Sequence, residues 1–526
     1  MNGAGSSAHD PIPGMKKFTW PNRFSGWPIP LFLITSALLY FSFLPVNYSF
    51  DGTVFSHFLR YALIKHDWLG VTQIHHLLYF PANYLIYRVL EALFHYRVLE
   101  FFHLQLFSML FAILNLGLVG RMLKKIGLTP ALRLFGVAVV AFSYSFWLYA
   151  VDAEVHMPGV FFTLAGLYLL VFRETRASTL ALSALCFVLA AGFHLTNGLI
   201  VGTVFFYLRQ KHSSWRRYLQ FLLAYLSFGL IFYGTYAALS HKPIFRILYN
   251  VFFGPDIYSG YRLTSFHPPG LTTFISSLSG LQHALLTQAG IWTWLISAGF
   301  LALLAVACKP AAQPVGRTFK RAMFFWFAPY FLFFSFWDTG NIEYKIHIIV
   351  PLLLIAITAL GDLKPFIANI IGAFLAGALL WINFSCGIMP LNDINNNINY
   401  QVAIGIQKQV PERGQILITG NPPGYAFGKI YLPYFAWREV LILDWLLGKG
   451  HSLAEIQARL KKNAAMGQPV YALGEIVEMN DALKNLLAFH HIPEGEYSRF
   501  RAGMRSALVS RLPGGFRLYR LEFTSP

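Results

Sequence analysis

The chain has 526 residues, more than one hydrophobic core usually serves, so more than one structural unit is expected. Hydrophobic residues make up 56% and charged residues only 12%, against roughly 25% charge in a soluble domain; this excludes an ordinary soluble globule and leaves lipid to cover part of the surface. The formal charge of +18 gathers in short loops on one side of the predicted spans, which reads as membrane orientation and excludes nucleic acid as a partner.

Residues 1–27 form a predicted cytoplasmic tail carrying Lys16, Lys17 and Arg23. The apolar run at 28–46 follows it without a small-residue cleavage site, so it reads as a retained anchor and not a signal peptide. Further runs lie at 101–120, 131–150, 156–172, 178–193, 195–208, 217–240, 286–307, 322–337, 346–361 and 366–386. A span takes about 20 residues, roughly 17 at the short end, so 178–193 and 195–208 read as a tight hairpin or a re-entrant pair. The expectation is about eleven crossings. Cys186, Cys308 and Cys386 sit in or beside apolar runs, as packing residues rather than a disulfide framework or metal cluster.

The basic loops RMLKK (121–125), RETR (173–176), RQKHSSWRR (209–217) and 309–321 are predicted to face the cytoplasm. The loops near 151–155 and 193–196 have no Lys or Arg and face the other way. Of eleven Asp and Glu between residues 28 and 392, nine fall on that outer side: Asp51, Asp67, Glu91, Glu100, Asp152, Glu154, Asp256, Asp338 and Glu343. Acids contribute little to insertion. Either a polar working surface or merely longer solvated outer loops accounts for the skew.

Two outer loops are long, 47–100 and 241–285. The first opens with VNYSFDGTVFSHFLR, which puts Asp51 just past the first span, and ends in NYLIYRVLEALFHY (83–96), whose apolar spacing suits an interfacial helix. Asp51 suits a general base for an acceptor hydroxyl, work typically worth 10²–10⁴-fold in rate. YAVDAEVHMPG (149–159) supplies Asp152, Glu154 and His156 at a membrane boundary, where ionisable groups must face water, a partner or a cavity. They suit orienting a substrate, holding a divalent metal, or, for the two acids, capping the next helix. GFHLTNG (192–198) puts His194 at the hairpin tip, where a structural role competes with a functional one. FWDTGNIEYKIHIIVP (336–351) supplies Asp338, Glu343, Lys345 and His347. Lys345 and His347 suit neutralising a phosphate; the bland reading for Lys345 is snorkelling to the interface.

From about residue 393 the text changes. NDINNNINY (392–400) reads as a linker. QILITG (415–420), EVLILDW (439–445), PVYALG (469–474) and FRLYRLE (516–522) read as strands, interleaved with helical text such as HSLAEIQARLKKNAA (451–465), whose Ser452 and Glu455 form a capping-box signal. This predicts a separate soluble α/β domain over 391–526, outside the membrane. GNPPG (420–424) lacks the features of a phosphate loop. The tail's fifteen basic and eleven acidic residues do not choose a partner.

Together, the Asp after span one, the acidic boundary after span three, HLT in the next hairpin and the Trp-Asp-x-Gly-Asn-x-Glu stretch resemble the GT-C glycosyltransferases over residues 28–390. The likeness is nearest to the bacterial protein O-mannosyltransferase-like branch, through AEVHMPGVFFTLAGLYLL (153–170) and GFHLTNGLIV (192–201). The resemblance implies a polytopic helical enzyme of the plasma (inner) membrane. Such an enzyme moves sugar from a polyprenyl-phosphate donor to a protein, lipid or glycan acceptor at the outer face, among membrane lipids. It assigns the first-loop acid to Asp51. Many relatives carry Asp-Glu there, whereas Gly52 follows here, so a second acid would come from Asp152 or Glu154, and metal dependence stays open. Lys345, His347, His194 and Arg262 are the candidates for the donor phosphate. A secondary transporter or lipid flippase with an outer binding domain is the alternative, but no internal repeat supports it; a sensor scaffold is the third.

Overall fold

The computed structural model describes residues 28–523, except 212, 254–265, 308, 310 and 421–427. A helical body fills the first three quarters of the chain, and a five-stranded sheet with its helices fills the last. Three helices are long and apolar enough to cross a membrane: Glu100–Lys125, Trp215–Leu239 and Pro365–Leu391. A fourth candidate is a bent pair, and Pro28–Ser42, His156–Phe172, Ala177–Phe193, Ile291–Val306 and Ile346–Leu360 are shorter apolar helices. Length and composition of the described helices thus support three or four spans; eleven is not reached by that measure.

Where one span is expected over 131–150, the helix is broken, as a bent span or a re-entrant loop. Pro130–Phe142 and Tyr144–Val151 meet at 66°. At the break Ser143 is extended, φ −64° and ψ 140°, with its hydroxyl donating to the Val140 carbonyl at 2.9 Å. Serine competes locally for backbone groups in this way, and the bend delivers residues 152–155 to one end of the bundle. At the middle of the body lies Ile346–Leu360, every residue of which is buried. A helix apolar all round belongs where neighbours surround it on all sides.

The loop expected over 47–100 is largely helical, with Phe50–Lys65 and Tyr79–Phe94 as its main elements. The first has a good start signal: Ser49 Oγ accepts from the Gly52 amide at 3.0 Å, and Asp51 occupies the first turn, where a negative charge suits the helix dipole.

The C-terminal sheet has the order β2-β1-β3-β5-β4. β1 (Gln415–Ile418), β2 (Glu439–Ile442) and β3 (Val470–Leu473) are parallel, while β5 (Arg517–Phe523) pairs antiparallel with both β3 and β4 (Met504–Arg511). Two apolar clusters, one holding Ile416, Ile418 and Leu518 and the other Leu417, Val470 and Leu521, cover its two faces, as a parallel core requires. The capping box of the Leu453–Ala465 helix is present in full, Ser452 and Glu455 each bonding the other's amide. β4 was not visible in the sequence, since its exposed Ala507, Leu508 and Val509 break the alternation that marks a half-buried strand.

Candidate active site

Four carboxylates converge at one end of the helical body. The turn 152–155 is pinned from the Glu100–Lys125 helix: Ser108 Oγ donates to the Glu154 carbonyl at 3.0 Å and accepts from its amide at 3.4 Å, and Asn115 Nδ2 donates to the Met157 carbonyl at 3.0 Å. The Phe50–Lys65 helix closes onto this turn at Gly52. A Cβ there would lie 2.6 Å from Ser49 Oγ and 3.1 Å from the Ala153 Cβ, so only glycine allows the approach that carries Asp51 in. The departure from an Asp-Glu pair thus has a steric reason. Ser49 Oγ also lies 3.5 Å from Glu154 Oε1.

From the other side comes the loop 335–345. Asn341 Nδ2 donates to Asp338 Oδ2 at 3.0 Å and to Glu343 Oε2 at 3.4 Å, and Asn341 Oδ1 accepts the Glu343 amide at 2.9 Å. This sets Glu343 Oε1 at 2.9 Å from His156 Nε2. Asp338 is left-handed, φ 48°, as Asp tolerates in a tight turn. Glu154, His156 and Glu343 each offer a ligand atom within 4.8 Å of the others.

Electrostatically this is a crowded place. Burial, then the Glu343 charge, pushes the Asp51 carboxyl up to about 7. Burial likewise raises Asp152 to about 6, with the Ala153 amide and Ser49 pulling it back and Asp51 and Glu343 adding to it. Glu154 is raised well above the usual range, by burial and then by Glu343, Asp51 and Asp152. Glu343 rises to about 7, mainly by burial, with Asn341 opposing. Glu154 Oε2 and His156 Nδ1 are buried without a partner. Orphaned buried acceptors are rare and costly, and two carboxylates with one imidazole make a donor set that suits a divalent transition metal. The residues present therefore fit such an ion.

The helix-capping reading of Asp152 and Glu154 does not hold. The N-terminal cap of the His156–Phe172 helix is Val155, with no side-chain capping bond, and Asp152 Oδ1 instead accepts the Ala153 amide at 2.8 Å.

The basic candidates are placed less simply. The His194 ring lies 5.2 Å from that of His156, and His347 lies 5.8 Å from it, so both belong to the cluster. His194 Nδ1 pairs with Thr196 Oγ1 at 2.6 Å, while both ring nitrogens of His347 are buried without a partner. Lys345 does not snorkel. Its side chain is buried, Nζ donates to the Phe334 carbonyl at 2.8 Å, and burial lowers its ammonium to about 8. It lies against the Gly280 backbone, beside an open cavity of about 410 Å³ lined by Ser276, Ser279, His283 and Gln288. Arg262 lies outside the described residues. Ser49, Ser108, Asn341 and His76, whose ring is 5.0 Å from His194, were missed in the sequence. Ser49 had a signal there, as a serine three residues before a glycine at a helix start, and Asn341 stood within the Trp-Asp-x-Gly-Asn-x-Glu stretch.

No family model matches the chain, and no curated protein matches it in sequence. Its fold does have relatives among solved structures. ArnT from Cupriavidus metallidurans, crystallised with undecaprenyl phosphate, superposes with a TM-score of 0.62 at 12% identity, covering 94% of this chain and 98% of that one. Its apo form gives 0.62 at 11%, with the same coverage. The mycobacterial arabinofuranosyltransferase AftD gives 0.50 at 13%, covering 94% of this chain but 41% of that one. The fold is that of the GT-C membrane glycosyltransferases.

Proposed function

We propose that this protein is a glycosyltransferase of the plasma (inner) membrane that moves a sugar from a polyprenyl-phosphate carrier to an acceptor hydroxyl. The observation that carries this reading is the convergence of Asp51 with Asp152, Glu154 and Glu343 at one end of a GT-C bundle. One neighbour of that fold was crystallised with such a lipid, undecaprenyl phosphate.

The chemistry follows from the charges. When a sugar is transferred from a lipid phosphate, the lipid phosphate leaves as an anion and needs no general acid if that charge is stabilised. The nucleophile needs one base. Asp51 is half-buried, as Glu343 is, while Asp152 and Glu154 are buried, and a carboxyl tuned to about 7 matches a base working at neutral pH. It takes the acceptor proton as the hydroxyl oxygen attacks the anomeric carbon, whose bond to the phosphate oxygen breaks. One in-line displacement inverts that centre. His194, His347 and Lys345 border the cluster as donors for the phosphate, with Lys345 exchanging its Phe334 carbonyl partner.

Glu154, His156 and Glu343 would hold a divalent cation, which would offset the carboxylate repulsion and attract the phosphate. In this reading the N-terminus is cytoplasmic, and the site and the domain 391–526 lie on the outer side, after about eleven crossings if the shorter and less apolar helices also cross.

The test is transfer itself. Purified full-length protein in lipid nanodiscs, given radiolabelled undecaprenyl-phosphate hexoses and pentoses with an envelope extract, should pass label to a protein, lipid or glycan fraction. The product anomer should be opposite to that of the donor. No transfer from any of these donors, or retention of configuration, would contradict the proposal in its donor or its mechanism respectively.

A further inference from the structure

We propose that the C-terminal domain supplies a positioning residue, Tyr431, to the carboxylate site, so that Asp51 is held in its working place by a side chain some 380 residues away. The proposal rests on the reading of Asp51 as the base.

Tyr431 belongs to the sheet domain: it is fully buried and packs with Ile416, Ile418 and Leu473 of that domain's core. Its hydroxyl donates to the backbone carbonyl of Tyr48 in the helical body. The same side chain engages Thr53 and Asn397 and is near enough to Asp152 to feel its charge. Residue 48 precedes Ser49, and Ser49 both caps the helix that carries Asp51 and touches Glu154 at 3.5 Å. One short relay of backbone therefore joins the domain's hydroxyl to the start of the helix that carries Asp51.

The rest of the contact has the character of a clamp on that helix. At its start, Asn397 Nδ2 donates to the Val46 carbonyl at 2.7 Å, and the Tyr48 ring stacks on Phe435 at 5.1 Å. Towards its other end, Arg60 Nη1 donates to the Tyr434 carbonyl at 2.8 Å. Its guanidinium pairs with Glu100 at 2.9 Å and lies 3.9 Å from the Tyr434 ring centroid. Tyr434 Oη in turn reaches Glu100 at 3.1 Å. A cation over an aromatic face gains as it is desolvated, and removing one partner of an ion pair shielded from water costs more than on an open surface. Both ends of the Phe50–Lys65 helix are thus gripped by residues 431–437, while its middle packs on the helical body. A base misplaced by about 1 Å can lose on the order of 100-fold in rate, so such a grip has a use that packing alone does not explain.

Tyr431→Phe keeps the ring and deletes the bond to Tyr48. In the nanodisc assay it should lower kcat by about 10- to 100-fold with KM for the lipid donor unchanged. In Asp51→Asn, already slow, adding Tyr431→Phe should cost nothing further, because the relay acts only through that carboxylate. Tyr519→Phe removes a hydrogen-bonded hydroxyl from the same sheet and should stay within twofold of wild type. Hydrogen exchange supplies a reading independent of turnover: amides of 49–56 should exchange faster in Tyr431→Phe while those of 100–125 do not change. Unchanged kcat and unchanged exchange at 49–56, or losses that add in the double variant, would overturn the proposal. If Asp51→Asn itself transfers at the wild-type rate, the base assignment fails instead.

Discussion

Glu154 and Glu475 are both buried glutamates with carboxyls raised by burial, one in the helical body and one in the sheet domain. Their surroundings differ in kind. Glu475 is the buried carboxylate among the described residues of its domain, with Glu478 as the one like charge adding a minor rise, and it accepts the Thr419 amide at 3.4 Å, joining the ends of β1 and β3. Glu154 shares its space with Asp51, Asp152 and Glu343 and keeps Oε2 without a partner. A buried acid whose neighbours satisfy it holds a fold together. A buried acid crowded by like charges strains the fold, and such strain persists where function uses it.

Substitutions can break or sharpen that contrast. The largest effect is expected at Asp51: Asp51→Asn should reduce transfer by about 10²–10⁴-fold, the usual worth of a general base, measured as initial rate against protein amount. Glu154→Gln should come next, losing at least about tenfold in transfer while its thermal midpoint holds or rises, because a crowded buried charge is removed. Glu475→Leu should do the reverse, lowering stability by about 1–3 kcal/mol through the orphaned Thr419 amide with kcat unchanged. If Glu154→Gln destabilises and Glu475→Leu inactivates, the contrast is wrong.

A smaller effect is expected from pH. Asp51 and Glu343 keep their protons up to about pH 7 in the folded protein, against about 4 when unfolded. The folded state therefore binds the extra protons between those values. Their contribution to stability is complete below about pH 4 and is lost as pH rises through 7. Transfer runs the opposite way, rising with pH to a plateau with a midpoint near 7. A divalent cation favours the charged carboxylates, so adding Mn²⁺ or Zn²⁺ to chelator-treated protein should move that midpoint down. The smallest effect belongs to Ser452→Ala, which removes a helix cap and should cost about 1 kcal/mol with no change in transfer.

What the sequence disclosed follows from the range of the interactions involved. The capping box and four of the five strands are local patterns and were legible. The acids at 51, 152, 154 and 343 were visible on the predicted outer side, those at 152 and 154 as costly groups at a membrane boundary, although only the fold shows Glu343 against His156. The bend at Ser143 was hidden because the apolar run continues through it. For Lys345 the sequence left phosphate binding and snorkelling side by side, since nothing local reveals that the Phe334 carbonyl receives its ammonium. Ser108 and Tyr431 act by reaching other segments, and no spacing announces such a partner.

The account depends most on Asp51 serving the chemistry and not the binding of the lipid. Binding and single-turnover transfer of a labelled undecaprenyl-phosphate sugar should be measured on the same nanodisc samples of wild type and Asp51→Asn. The account predicts equal donor affinity with turnover falling by about 100-fold or more. Equal turnover in the two proteins, or a loss that tracks weakened binding alone, would contradict it.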